Sequence, residues 1–530
     1  MTKRGWVFAN RYGWLFLSLL ASAIYVDHIW KLTIDRSLIC GKDYFLHAVL
    51  AIKYAQLKFS WPSIISLYAS LEQKAYALQL HYPPLSYLSS ISIYSLKLDP
   101  FRAAVVTNIG WMILATIAIY ALVTRYTGSG FWGFIGALSL LSVYWVKCTV
   151  FDIGWRIPAL SMGVLGVCAF AFIVEGKNGW WRWAIIGFVT GVAGLVHVLA
   201  IIPIFSVVFV EIVARLISEE EKIFRRVIRA IARIIGVRIC AALVMAVFYL
   251  PVFLLAPKAF LREIHTEGVI NWEKIAQTFS ALPHDFFELF SDNWRLTVLV
   301  LVGLAISPLC GKRSIKMFFA TLVLLVPLFF GSTYNGWFYL IPYLAVVLTT
   351  SVLGISCAAN RLGKIGSIVV GILMSLILLK SLAFNLKFDE CLIKDKMFCT
   401  DYGEIQDLAS ALKKYSDIPQ DKIGFVDCRR GDIINPGDIA LVAMALGRPQ
   451  DSTSFWPYVH LVYNYQIAKI QLEKLQEAQL IGVITDELDS NGAPVCKPEF
   501  LESWQNDIGA LAFDARFKAG RRWVVFYKKP

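Results

Sequence analysis

The sequence predicts a polytopic α-helical membrane protein that carries a soluble α/β domain at its C-terminal end. Apolar residues make up 57% and aromatics 14% of the 530 residues, while 17% are charged, so most of the chain is too apolar to fold as a water-solvated globule. Apolar windows of roughly 20 residues, the length that crosses a hydrocarbon core as a helix, recur about eleven times before residue 385. From 386 onward short helix-like and strand-like segments alternate instead.

The windows fall at 13–32, 102–124, 131–147, 157–175, 182–197, 198–215, 237–256, 295–310, 317–332, 337–353 and 365–385. The apolar run 183–214 is too long for one crossing, and we divide it within 194–202, where His197 interrupts it. With that division Lys3, Arg4 and Arg11, then Arg125, Lys177 and Arg182, the cluster from Arg215 to Arg238, Lys312, Arg313 and Lys316, and finally Arg361 and Lys364 all fall on one side. The positive-inside rule makes that side the cytoplasm. The N-terminus is therefore expected inside an integral plasma (inner) membrane protein, with the C-terminal domain, Asp43, His81 and Asp152 outside. Without the division the basic residues after 215 change sides and the rule fails. These short basic loops also account for the net charge of +13 without nucleic-acid binding. The first span reads as retained, because no small-residue cleavage site follows Trp30.

Two domains are expected: 1–385 in the membrane and 386–530 soluble and extracytoplasmic. Within 33–100 lie two amphipathic pieces, 43–58 and 84–97, suited to the outer interface, and Pro83-Pro84 sets a rigid start for the second. The segment 257–294 reads either as a lid or as plain solvated surface. In the C-terminal domain, helix-like 402–414, 438–446 and 459–478 alternate with strand-like 422–427, 480–485 and 522–527, which predicts a largely parallel sheet. It has no G-x-G-x-x-G or P-loop pattern, so no nucleotide site is expected. Cys168, Cys240 and Cys310 read as packing residues; among the external cysteines, Cys391 with Cys399 or Cys428 with Cys496 are the pairings considered.

Chemistry is sought in the outer loops. Asp43 stands about ten residues beyond the first span, in Gly41-Lys42-Asp43-Tyr44-Phe45-Leu46-His47. There a carboxylate can deprotonate an acceptor brought to a lipid-borne donor, or simply cap the helix that starts at Tyr44. Asp27 and His28 are alternatives for that base. Asp152 and Arg156 share one short loop; the arginine suits a lipid phosphate and the aspartate can orient it or bind sugar hydroxyls, unless the two form a structural pair. His197 at the outer turn is an ionisable residue at membrane depth, either functional or packed. His47 and His81 are candidate substrate contacts. As metal ligands beside Asp43 they lack a recognisable spacing, so no metal site is assigned and a divalent metal is left open.

With these residues placed, the chain over 10–215 resembles the GT-C superfamily of integral membrane glycosyltransferases, specifically the dolichyl-phosphate-mannose protein mannosyltransferase-like group that includes the aminoarabinose transferases of lipid A. The resemblance rests on Asp43 after span one, His81-Tyr82-Pro83-Pro84-Leu85 before an interfacial helix, Asp152 after span three, and the break after Gly191-Val192-Ala193-Gly194-Leu195 that holds His197. Further on, Tyr339-Leu340-Ile341-Pro342 looks like an R-Y-L-x-P stretch with Phe338 where the arginine belongs. Asp43 is followed by Tyr44 rather than a second acid, and Tyr82 separates His81 from the prolines. The resemblance implies a GT-C-like membrane domain and a polyprenyl-phosphate-linked sugar donor. It also implies inverting transfer to an extracytoplasmic glycan, lipid or protein acceptor, with Asp43 as base and Arg156 and His197 on the phosphate side. The alternative is a carrier or flippase for a lipid-linked or small polar solute, whose usual internal repeat is not visible in the sequence.

Overall fold

The computed structural model describes residues 3–36, 38–40, 54–70, 83–98, 100–151, 154–176, 179–218, 222–255, 294–330, 337–387, 399–401, 423–427, 432–433, 479–485, 487–495, 512–519 and 522–528, with a few isolated positions besides. Contacts divide the chain into two units. The first comprises Met1–Lys31, Ser60–Leu88 and Ala104–Lys394; the second Leu32–Phe59, Ser89–Ala103 and Asp395–Pro530.

The long apolar helices are α1 (Lys3–Arg36), α4 (Pro100–Thr127), α7 (Arg156–Ile173), α9 (Val198–Ser218), α10 (Ile223–Leu255), α13 (Leu344–Arg361) and α14 (Gly363–Lys387). Shorter elements are β1 (Leu38–Cys40), α2 (Trp61–Ser70), α3 (Ser89–Leu96), α5 (Gly130–Leu141), α6 (Tyr144–Val150), α8 (Trp180–Val196), α11 (Trp294–Ile306) and α12 (Lys312–Phe330). Among the described residues, 7 helices are long and apolar enough to cross a membrane, or 8 with one bent pair, against the eleven expected. Trp180–Val196 and Trp294–Leu309 are apolar but shorter, and α12 opens with Lys312, Arg313 and Lys316. The 131–147 window is not one straight span. It is the bent pair α5 and α6, which meet at 64°, with Ser142 Oγ donating to the carbonyls of Leu138 and Leu378. The 337–353 window opens as a 3-10 segment, Trp337–Tyr343, before α13 begins. The expected helix over 84–97 is likewise split into a 3-10 turn, Pro84–Tyr87, and α3.

Helix ends in the first unit sort into two sets. At one end His28 approaches Lys147, Asn108 donates to the Val150 carbonyl, Ser86 to that of Val196, and Trp61 to that of Val247. At the other, Trp14 packs on Phe131, Arg215 reaches the Val174 carbonyl, Lys316 reaches Glu211, Arg226 the Leu216 carbonyl and Arg361 the Leu309 carbonyl. This alternation requires the chain to turn back at His197, and it gathers the basic residues at the second end.

That second end is tied by a buried ion network. Glu211 is 3% exposed and accepts from Arg215 Nε at 2.7 Å and Lys316 Nζ at 2.5 Å. Arg313 stands 3.8 Å from Glu175, whose carboxyl is pushed up chiefly by burial and pulled back by Arg313 and Lys316. Close helix approach does the rest. A Cβ at Gly187 or Gly191 on α8 would lie 2.6 Å from α10 atoms, the small-residue packing favoured where lipid offers no hydrophobic drive. Cys310, expected to be an inert packing residue, is instead joined to Cys357 in a disulfide; Cys168 and Cys240 are free.

In the second unit, β2 (Cys399–Asp401) pairs antiparallel with β1. A further sheet has five strands: β3 (Ile423–Asp427), β4 (Asp432–Ile433), β5 (Leu480–Thr485), β6 (Ala512–Ala519) and β7 (Arg522–Lys528), in the order β4-β3-β5-β7-β6. Only β3 and β5 are parallel; every other pair is antiparallel, which corrects the expected largely parallel sheet. The physical reason is connection length: the two residues between β6 and β7 permit only a hairpin. Cys391, Cys428 and Cys496, and the segment 258–280, lie outside the described residues.

Candidate functional site

The site begins at the break between α8 and α9. The α8 helix ends at Val196, and His197 is extended at φ −168°, ψ 145°. Breaking a helix at membrane depth exposes backbone groups that lipid cannot satisfy. Here side chains satisfy them. His197 Nδ1 accepts the Leu199 N–H at 3.1 Å and so caps α9, while the Ser86 hydroxyl donates to the Val196 carbonyl. An imidazole that accepts through Nδ1 carries its proton on Nε2, so the ring presents a neutral N–H donor from that edge.

Pro83 and Pro84 fix the other partner of this break. Pro83 is extended (φ −72°, ψ 164°) and Pro84 occupies the first turn of the 3-10 segment, where a missing N–H costs nothing. The rigid turn carries Ser86, 4% exposed, to the end of α8.

Trp155 supplies the third part. It precedes α7, is 1% exposed, and stacks on His197 with ring centroids 3.7 Å apart and an interplanar angle of 8°. The guanidinium of Arg156, itself 2% exposed, lies 5.4 Å from the Trp155 ring centroid. Two residues 41 positions apart in sequence, Arg156 and His197, are thus assembled around one indole. Nearby, the Asn108 amide donates to the Val150 carbonyl at 3.0 Å, anchoring the chain that leads to this corner. The Gly163 face of α7 abuts Pro203 of α9 and the Pro342 carbonyl, so the Tyr339-Leu340-Ile341-Pro342 stretch packs beside the same helices.

No protein-family model matches the chain, and no curated protein matches it in sequence. Solved structures do match. ArnT from Cupriavidus metallidurans in the apo state aligns over 97% of this chain and 98% of its own, with a TM-score of 0.60 at 12% identity. The same protein bound to undecaprenyl phosphate aligns over 99% and 98%, with a TM-score of 0.55 at 10% identity. The Archaeoglobus fulgidus oligosaccharyltransferase in complex with Zn and sulfate covers 94% of this chain and 72% of its own, with a TM-score of 0.50 at 11% identity.

The chain has the GT-C glycosyltransferase fold. Within this GT-C fold the structure brings together Arg156, His197 and the turn that follows His81, and it adds Trp155 and Ser86, which sequence reasoning had not singled out. Their signal was present as adjacency: Trp155 neighbours Arg156, and Ser86 follows the proline pair. Asp43, His47, His81 and Asp152 lie outside the described residues. Asp27, considered as an alternative base, is an exposed partner of Lys31 at 2.7 Å. Among the described residues no group of three His, Cys, Asp or Glu side chains is arranged to hold a metal ion.

Proposed function

We propose that this chain is an integral membrane glycosyltransferase that moves a sugar from a polyprenyl-phosphate-linked donor to an extracytoplasmic acceptor with inversion. The observation that carries the reading is the whole-length likeness in fold to a protein solved with undecaprenyl phosphate bound. The buried Arg156, Trp155 and His197 cluster, on the side away from the basic helix ends, supports it.

Asp43 takes the proton of the acceptor hydroxyl as that oxygen attacks the anomeric carbon. The bond from that carbon to the phosphate oxygen breaks, and its electron pair stays on the phosphate. Arg156 and the His197 N–H stabilise the departing phosphate. Asp152, His47 and His81 contact the sugar or orient Arg156. The acceptor is a glycan, a lipid or a protein. The N-terminus and the basic helix ends face the cytoplasm, and residues 386–530 form the extracytoplasmic domain.

Asp43→Asn tests this directly with purified protein and radiolabelled polyprenyl-phosphate sugars. Transfer should fall by about 10³-fold or more while donor binding stays unchanged. Full turnover by the variant would remove Asp43 from the mechanism.

A further inference from the structure

A second polar cluster sits at the same end of the first unit as the Trp155 corner. It lies on α6, the short helix beyond the bend, all of whose residues are buried. Lys147 is at its centre and is 0% exposed. Its Nζ lies 3.4 Å from Nε2 of His28 on α1. One turn earlier on the same face of α1 is Tyr25, 1% exposed, whose hydroxyl has no hydrogen-bond partner among the described residues.

An ammonium at membrane depth is expensive, and residues that carry one there usually serve a charge that arrives. The contact with His28 is informative in kind. An imidazole nitrogen that accepts from an ammonium is neutral, so it orients Lys147 without cancelling its charge. A lysine so held is a compact point charge with three donors, suited to a phosphate oxygen. The bend between α5 and α6 is what delivers it. A straight continuation of α5 would carry residue 147 along the helix axis, whereas the 64° turn lays α6 across the bundle end.

We propose that Lys147 is a catalytic residue that binds the donor phosphate and stabilises it as the glycosidic bond breaks, and that His28 is its positioning residue. This rests on the transferase reading above. In the step, Lys147 remains protonated throughout: the acceptor proton goes to the base and the bonding pair to the phosphate oxygen, so the ammonium meets the added negative charge without proton exchange.

The test measures binding of undecaprenyl phosphate and of undecaprenol to the detergent-purified full chain by native mass spectrometry. Lys147→Met should weaken undecaprenyl phosphate by about tenfold or more, as loss of a charged hydrogen bond implies, and leave undecaprenol unchanged. Lys147→Arg should restore most of the difference. His28→Ala should weaken the phosphate lipid by about threefold and also spare undecaprenol. Wild-type affinity of Lys147→Met for both lipids would overturn the proposal. If Lys147→Met does not fold, unchanged phosphate preference in His28→Ala and Lys147→Arg together would overturn it. Failure of the transferase reading has a different signature: the unmodified protein itself would show no preference for the phosphate-bearing lipid.

Discussion

His197 holds two distinct interactions that substitution can separate. Its Nδ1 caps α9 through the Leu199 N–H at 3.1 Å, and its ring stacks on Trp155 at 3.7 Å. A cap is worth about 1 kcal/mol, and an aromatic pair contributes about 0.5–1.5 kcal/mol beyond its buried area. His197→Asn keeps a good capping oxygen and loses the stack, so it should cost about 1 kcal/mol. His197→Phe keeps the stack and leaves the Leu199 N–H without its acceptor in a buried site, which should cost about 1–2 kcal/mol. Combining His197→Asn with Trp155→Leu should then show a coupling of about 1 kcal/mol rather than simple addition. The assay is equilibrium unfolding in detergent, with each variant also tested for transfer. Both His197 variants lose the Nε2 donor, so both should lower turnover even where stability is restored by added lipid. Stability costs that add without coupling would refute the stacked geometry, and full turnover in His197→Asn would refute the phosphate-side role.

Other expectations follow from the packing and the charges. A Cβ at Gly354 would lie 2.0 Å from the backbone carbonyl oxygen of Gly303; because backbone cannot swing aside, Gly354→Ala should cost about 3 kcal/mol, read as a lowered unfolding midpoint. Glu211→Leu removes the carboxylate that Arg215 and Lys316 share and should cost about 3–5 kcal/mol; a variant as stable as the parent would show the network to be dispensable. In the C-terminal sheet, the Tyr415 hydroxyl and Lys414 both donate to Asp514. The Tyr415 hydrogen bond, then that of Lys414, holds the Asp514 carboxyl below its usual range. That contribution is present above the unfolded carboxylate pKa and is lost as pH falls through the lower folded value. Burial, then the bond to Asp514, pushes the Tyr415 phenol up, so its contribution is present below the unfolded phenol pKa and is lost as pH rises toward the folded value. Asp514→Ala should flatten the acid limb of the unfolding profile by about 1 kcal/mol or less, given its exposure; an unchanged acid limb would count against the bond.

The membrane class, the interruption at His197 and the strands at 480–485 and 522–527 were legible because each is a local pattern. Twenty apolar residues, a polar break in an apolar run and β-branched alternation all report on nearby neighbours in sequence. The β6 strand was legible in the same way, since Phe513, Ala515 and Phe517 alternate with Asp514, Arg516 and Lys518, and the two residues before β7 dictated antiparallel pairing. The shortness of α8 and the charges opening α12 explain why eleven windows became fewer helices that meet a strict spanning criterion.

What the chain alone determined was where helices must start and stop, because backbone solvation by lipid is a local constraint. Only the tertiary structure decided which stops face one another. Trp155 on His197, Ser86 on Val196 and Lys147 beside His28 join residues from separate helices. Their proximity follows from how the helices cross and bend, which depends on packing volumes and satisfied backbone groups across the whole bundle, not on any one stretch of sequence.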